Sequence, residues 1–306
     1  MATLSERLQA EINRANNTTK KTDTTVHGAV SSLINGFGKG DILVHSDMPN
    51  YVKDEVLSVA EKVKAVQTNK TLTFLTMTDS HHTGEQNDTS WQEYTNISNL
   101  HAVMGTKALA YILNMDFTAH LGDLTFGHGT TTSKLLHSQI EEMGSWWDEA
   151  TKGIPNFWSL GNHDTGMYAV NSGTETELES TDYLFSMFGA RCDGATYGSI
   201  VHGYCYRDFT DKKVRVICLN SSEVDSLEGY NANPSFSEVQ LLWFAQTLYD
   251  IGSKSESGWS VLVLSHYPLD FANCFISSAV VKAYVEGGSV THNGITVNFN
   301  GHNNAK

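Results

Sequence analysis

From residue 51 onward, apolar positions switch between two spacings. Val52, Val56, Val59, Val63 and Val66 recur at intervals of three and four, which predicts a helix over 51–66. The next apolar run, TLTFLTMTD at 71–79, is short and rich in β-branched residues, so it reads as a strand. The rhythm continues with a helix over 98–114, a strand over 116–121, a helix over 133–150 and a strand over 155–160. Strands are expected again at 203–209 and 213–220, then a helix at 236–250 and a buried strand, WSVLVLS, at 259–265. A helix near 278–286 and a strand at 295–299 complete the series. Strands that alternate with helices at this spacing predict a layered α/β domain. Residues 165–200, with SGTETELES inside them, show neither period and are expected to form a long, irregular surface excursion.

The first 50 residues differ in texture. Leu4, Leu8, Ile12 and Ala15 fall on one face of a helix over 2–16. So short a helix is not stable alone, and its stripe needs a partner surface. Residues 16–50 are rich in Asn, Thr, Gly and Ser. GFGKGD at 36–41 lacks the GxxxxGK[ST] spacing of a phosphate loop and reads as a turn. The organisation is therefore an attachment or oligomerisation segment over 1–50 and a larger domain over 51–306.

Composition narrows the class. Apolar residues make up 40% of the 306 residues and charged residues 18%, enough for an ordinary core. The formal net charge of −14 repels polyanions, which argues against nucleic acid as a partner. No apolar run approaches the roughly 20 residues of a membrane span. The opening MATLSERLQAEINRA has no apolar secretory core, so synthesis in the cytoplasm is expected. Cys192, Cys205, Cys218 and Cys274 form no CxxC pair and read as buried, reduced thiols.

Chemistry gathers where the strands end. Asp79-Ser-His81 closes the first strand, Gly122-Asp123 the second and Gly161-Asn162-His163-Asp164 the third. Ser265-His266 closes the WSVLVL strand, and Gly301-His302 the last. In open α/β sheets ligands bind beyond the carboxyl ends of strands, so five separate clusters can converge on one pocket. Asp, His and Asn offer oxygen and nitrogen donors to a divalent or trivalent transition metal, and no cysteine joins them. Asp79 and His81, two apart, share one side of an extended chain. A single GD or DxH carries almost no information; the ordered set does. His120, inside a strand, reads as buried, and His82 should point away from His81. His128, in LTFGHG, is either a surface-loop residue or an additional residue of the pocket.

The series DxH, GD, GNHD, SH and GH is similar to that of the calcineurin-like metallophosphoesterase family, over about residues 71 to 302. The resemblance implies a four-layered α/β/β/α sandwich, here with a short N-terminal helical extension. It implies two metal ions, manganese, iron or zinc. Asp79 and His81 would hold the first, Asp123 would bridge both, and Asn162, His266 and His302 would hold the second. His163 would stand beside the substrate phosphate, stabilising the transition state or protonating the leaving oxygen, with Asn162 near the same substrate; His128 is a further substrate-side candidate by its position just after Asp123 and not by the resemblance. Asp164 would orient its imidazole. The family pattern ends GHxH, whereas this chain reads Gly301-His302-Asn303-Asn304. Asn304 thus stands where a ligand to the first metal belongs, and a carboxamide oxygen is the weaker donor. The family's usual further strands are missing after this motif, which reads as a chain cut at 306 or an unusual ending.

ATLSERLQAEINRANN and the VKDEVLSVAEKVKAVQ helix resemble the leading parts of bacteriophage tail or baseplate proteins. That resemblance implies phage tail proteins or further copies of the chain as partners, a place in the virion, and cell-wall teichoic acid as a substrate. Two functions stand against each other. One is a hydrolase of phosphate esters, of diesters in preference, working through a dinuclear metal centre. The other is a tail or baseplate protein whose phosphoesterase site has decayed to binding, a reading that Asn304 keeps open.

Overall fold

A computed structural model describes residues 48–84, 90–128, 131–175, 179–223, 236–255, 258–269, 282–283, 286–292 and 295–299. The helix expected over 2–16, the GFGKGD turn, Cys274, His302 and Asn304 lie outside the described residues.

Three helices follow the expected periods. Helix α1, Asn50–Val66, buries Val52, Val56 and Ala60. Helix α2 runs over Ser90–Ile112, more than two turns ahead of the expected start. Helix α3, Ser133–Ala150, has the expected bounds and is capped by Thr132, whose hydroxyl accepts from Leu135 N at 3.3 Å. Its buried stripe of Leu136, Ile140, Met143, Trp147 and Ala150 faces the sheet.

That sheet is parallel, in the order β1-β2-β3, with β1 over Phe74–Met77, β2 over Phe117–His120 and β3 over Asn156–Trp158. The strand expected over 71–79 is therefore only four residues long. A second sheet, β4-β5-β6-β7, takes Thr196–Tyr197, Cys205–Phe209, Val214–Cys218 and Ser260–Leu264. Within it β6 and β7 are parallel and β5 is antiparallel to β6.

Period-two alternation decides what each strand face meets. Phe117, Ala119 and Phe157 of the first sheet pack against Cys205, Phe209, Val216, Cys218 and Leu264 of the second. The opposite face of the first sheet lies under α1, α2 and α3, through residues such as Leu75, Met77 and Trp158. The opposite face of the second sheet presents Ile217, Val261 and Val263 to Phe244, Ala245, Leu248 and Ile251. These last four belong to a further helix, α6, over Glu238–Ser255. The layers are thus helix, sheet, sheet, helix. Cys192, Cys205 and Cys218 are free and buried, as expected.

The 165–200 stretch is not an irregular excursion. It holds two short helices, α4 over Met167–Asn171 and α5 over Thr181–Phe188, before β4. Ser180 caps α5, and Leu184, Met187 and Phe188 turn inward onto the core of α3 and β3. Polar composition hid an apolar face only two turns long. A hairpin of β8, Gly288–His292, and β9, Ile295–Phe299, was foreseen only in its second strand. Of the helix expected near 278–286, the described residues 282, 283 and 286 are helical. No described helix is long and apolar enough to cross a membrane.

Candidate metal centre

Asp123 is the hub. It leaves β2 with a left-handed φ of 51°, just after Gly122 at 93°. A side chain other than glycine is strained there, and such strain collects at functional sites. Asp79 (φ 53°) and His81 (φ 43°) sit in the same region beyond β1. The chain is therefore not extended at 79–81. A left-handed double bend, and not strand alternation, brings the two side chains together, with His81 Nε2 3.7 Å from Asp79 Oδ1. Backbone bonds hold the bend beside β2's exit: Asp79 N donates to Gly122 O and His81 N to Asp123 O, each at 3.0 Å.

The buried Asp123 carboxylate uses its two oxygens differently. Oδ1 accepts from His163 N at 3.0 Å. Oδ2 faces three imidazoles, with Nε2 of His81 at 3.7 Å, of His163 at 3.8 Å and of His266 at 3.5 Å. These gaps are too long for hydrogen bonds. His266 arrives from the second sheet, so the site lies where the carboxyl ends of both sheets meet.

Two of the three rings have their tautomers set by the backbone. His163 Nδ1 donates to Phe126 O at 2.6 Å, and His266 Nδ1 donates to Leu121 O at 2.9 Å. A carbonyl can only accept, so in the neutral ring each Nε2 turns a lone pair inward. Backbone carbonyls commonly orient metal-binding imidazoles in this way. The lone pair of His266 then faces Asn162 Oδ1, itself an acceptor, at 3.2 Å. A cation satisfies such opposed acceptors. The donor set therefore fits transition-metal ions: two groups lie within ligand range, His81–Asp123–His163 and Asp79–Asp123–His266. Asp123 is common to both. His81 Nε2 also stands 3.7 Å from Asp79 Oδ1, so the two groups adjoin around Asp123.

Burial and neighbouring charge tune the carboxylates apart. The neighbouring His81 imidazole holds Asp79 down at about 2, against the cost of its partial burial. Burial pushes Asp123 up to about 6. Burial works against the charge of His81, but the Asp79 and Asp123 carboxylates outweigh it and raise its pKa. Burial lowers His163 to about 4, so its ring is neutral near pH 7.

Asp164 has a different part from the one expected. Its Oδ2 accepts from Gly161 N at 2.9 Å and its Oδ1 from Thr125 N at 3.1 Å. It pins together the loops after β2 and β3, while Phe126 O orients the His163 ring. His120 is fully buried and meets Ser80 Oγ at 2.7 Å. His82 turns away from the centre to Glu142, at 3.0 Å. His128 is exposed, yet stacked between Phe126 and Tyr168.

Two tyrosines had not been foreseen. Tyr267 donates its hydroxyl to Asn162 Oδ1 at 2.6 Å, and Asn162 Nδ2 donates to the Tyr168 hydroxyl at 3.2 Å. Together they set which way the Asn162 amide faces. Adjacency of Tyr267 to His266 was its only signal in the sequence. Tyr168 had none, because its loop reads as polar coil.

Acid and imidazole side chains at the ends of two stacked sheets, with only hard and borderline donors, are the makings of a metal-dependent hydrolase. The chain belongs to the calcineurin-like phosphoesterase family, whose model matches residues 72–303. Comparison with curated proteins gives no match. Members of this family hydrolyse phosphate esters with bound metal ions. The N-terminal 71 residues precede the matched region, and no comparison supports a tail-protein likeness for them.

Proposed function

We propose that this chain is a metal-dependent phosphodiesterase with a two-ion centre built on Asp123. The carrying observation is the set of three imidazole Nε2 atoms, 3.5–3.8 Å from one buried carboxylate oxygen. Asp79, His81, Asp123, Asn162 and His266 would hold the ions, joined by His302 and Asn304 from outside the described residues. When bound, the ions supply positive charge for phosphate oxygens and acidity for a water. The side chains described around Asp123 are carboxylates, imidazoles, an amide and phenols, with no ammonium or guanidinium among them. That favours a diester, with one negative charge, over a doubly charged monoester.

The chain's own groups have distinct parts. Asp123 Oδ2 is the shared donor, and its Oδ1 is held by His163 N. His163 presents Nε2 to the centre, braced by Phe126 O and by the Tyr168 ring at 4.4 Å. There it meets a phosphate or leaving-group oxygen. Tyr168 and Tyr267 keep the Asn162 carboxamide oxygen inward.

The test is hydrolysis of bis(p-nitrophenyl) phosphate with manganese, by wild type and Asp123→Ala. Turnover by wild type and none by the variant is expected. Equal turnover removes the Asp123-centred assignment. Elemental analysis after manganese incubation separates this reading from a decayed binding site, which would retain no metal. The attachment role of residues 1–50 is a proposal from sequence resemblance: deleting 1–45 should alter particle mass by light scattering and leave turnover intact.

A further inference from the structure

We infer that Asn99 and His120 are positioning residues for the metal centre: acting through Ser80, they hold the left-handed bend at 79–81 and so fix the Asp79 and His81 donors. The inference rests on the metal-centre reading above and adds to it two residues that lie behind the donors.

The bend needs holding. Asp79 and His81 both have left-handed backbone, at φ 53° and 43°. Neither is a glycine, so each occupies a sparsely populated region that persists only where the surroundings over-determine it. Charge pulls the same way. The Asp79 and Asp123 carboxylates offer oxygens within 4.8 Å of one another, and like charges push apart. On one side the bend is held by backbone bonds to the exit of β2, from Asp79 N and His81 N.

Ser80 holds it on the other side. Its buried hydroxyl meets His120 Nε2 at 2.7 Å. The His120 ring is fully buried, with Trp147 at 5.6 Å and Trp158 at 6.0 Å, so it is a fixed anchor. Its Nδ1 has no hydrogen-bond partner among the described residues. In a neutral ring, a proton on Nε2 leaves only an acceptor unpaired, and a buried unpaired N–H is the rarer defect. Nε2 therefore donates and Ser80 Oγ accepts.

The peptide between Ser80 and His81 is held at both polar ends. Ser80 O accepts from Asn99 Nδ2 at 2.8 Å, and His81 N donates to Asp123 O at 3.0 Å. A peptide is planar, so fixing its oxygen and its nitrogen fixes its tilt. That tilt sets the φ of His81 and hence where its imidazole starts. Asn99 is itself buried, in α2, so one amide ties the helix layer to the centre. Donors already in place spare an ion the cost of ordering them.

The test titrates manganese calorimetrically into wild type, Ser80→Ala, Asn99→Leu and Ser80→Thr. Ser80→Ala removes the acceptor of His120, and Asn99→Leu removes the amide at similar size. Each should weaken manganese binding by about tenfold to a hundredfold, the usual loss when a partner behind a ligand is removed. Ser80→Thr keeps the hydroxyl and should bind as wild type does. Urea unfolding of the metal-free variants gives the contrast: a merely structural bond lowers stability and leaves affinity as it was. Unchanged affinity in both Ser80→Ala and Asn99→Leu therefore overturns the inference. So does a loss in Ser80→Thr equal to that in Ser80→Ala. If Asn99→Leu does not fold, Ser80→Ala decides. Wild type that binds no manganese overturns the metal-centre reading and this inference together. Weaker binding by the variants, with no turnover of bis(p-nitrophenyl) phosphate by wild type, removes the hydrolytic reading and leaves the positioning role standing.

Discussion

Gly161 leaves no room for a side chain beside Asp123: a β-carbon there would stand 2.1 Å from Asp123 N and 2.1 Å from its Oδ1. The approach is mutual, since a β-carbon on Gly122 would come within 2.5 Å of Gly161 N. The loops after β2 and β3 thus touch backbone to backbone. This contact sets where the Asp123 carboxylate points.

Gly161→Ala is therefore expected to push Asp123 out of place while the helix layers stay folded. A displacement near one ångström can cost about a hundredfold in rate. Turnover and metal content should both fall, with far-ultraviolet circular dichroism unchanged. Wild-type values of both would mean that the contact does not govern the site.

Asp164 should matter to stability before it matters to catalysis. Its fully buried carboxyl is pushed up to about 7 by burial and by the Asp123 charge. Asp164→Ala strands the amides of Gly161 and Thr125, at about 1–3 kcal/mol for each unsatisfied group. Urea unfolding of the metal-free protein should register the loss. Unchanged unfolding combined with lower kcat would instead place Asp164 in control of the imidazole.

His163→Ala separates two parts that its geometry allows. If the ring acts on the substrate, kcat should fall by about 10²–10⁴ with metal content retained. If metal is lost together with rate, His163 belongs to the donor set that it forms with His81 and Asp123.

Metal affinity should rise with pH. Asp123 is raised to about 6 and His81 above the usual histidine value, so in the metal-free protein both hold protons higher than usual. An incoming ion must displace them, and binding strengthens as pH climbs through those values. The gain should be on the order of tenfold per pH unit for each proton released, between about pH 5 and 7. Manganese titrations at several pH values, with proton release followed by calorimetry, check this. Affinity independent of pH would remove Asp123 and His81 from the donor set.

Much of this was legible in one dimension. Periods of 3.6 and 2 are local, so α3 and the β5–β6 strands could be placed within a residue or two. The α/β/β/α layering follows from resemblance and was supported by alternating strand faces, such as Val216 inward and Ile217 outward. The strand-end positions of Asp79, Asp123, Asn162 and His266 could be read because a buried strand ends abruptly in polar residues. Short apolar faces within polar text, as in α5, could not be read, because two turns are too few for a period to show.

The tertiary structure alone decided what each polar residue faces. Asp79 and His81 meet through left-handed backbone, which the alternation rule cannot foresee. Asp164 bonds to amides of two different loops, while the backbone carbonyl of Phe126 takes the part expected of it. Tyr168 from helix α4 and Tyr267 from the loop after β7 reach Asn162 out of stretches whose composition is unremarkable. Sequence pattern records burial and period, which are properties of a residue and its near neighbours. Hydrogen-bond partners and ligand geometry depend on chain segments far apart in sequence, and only the folded arrangement brings those together.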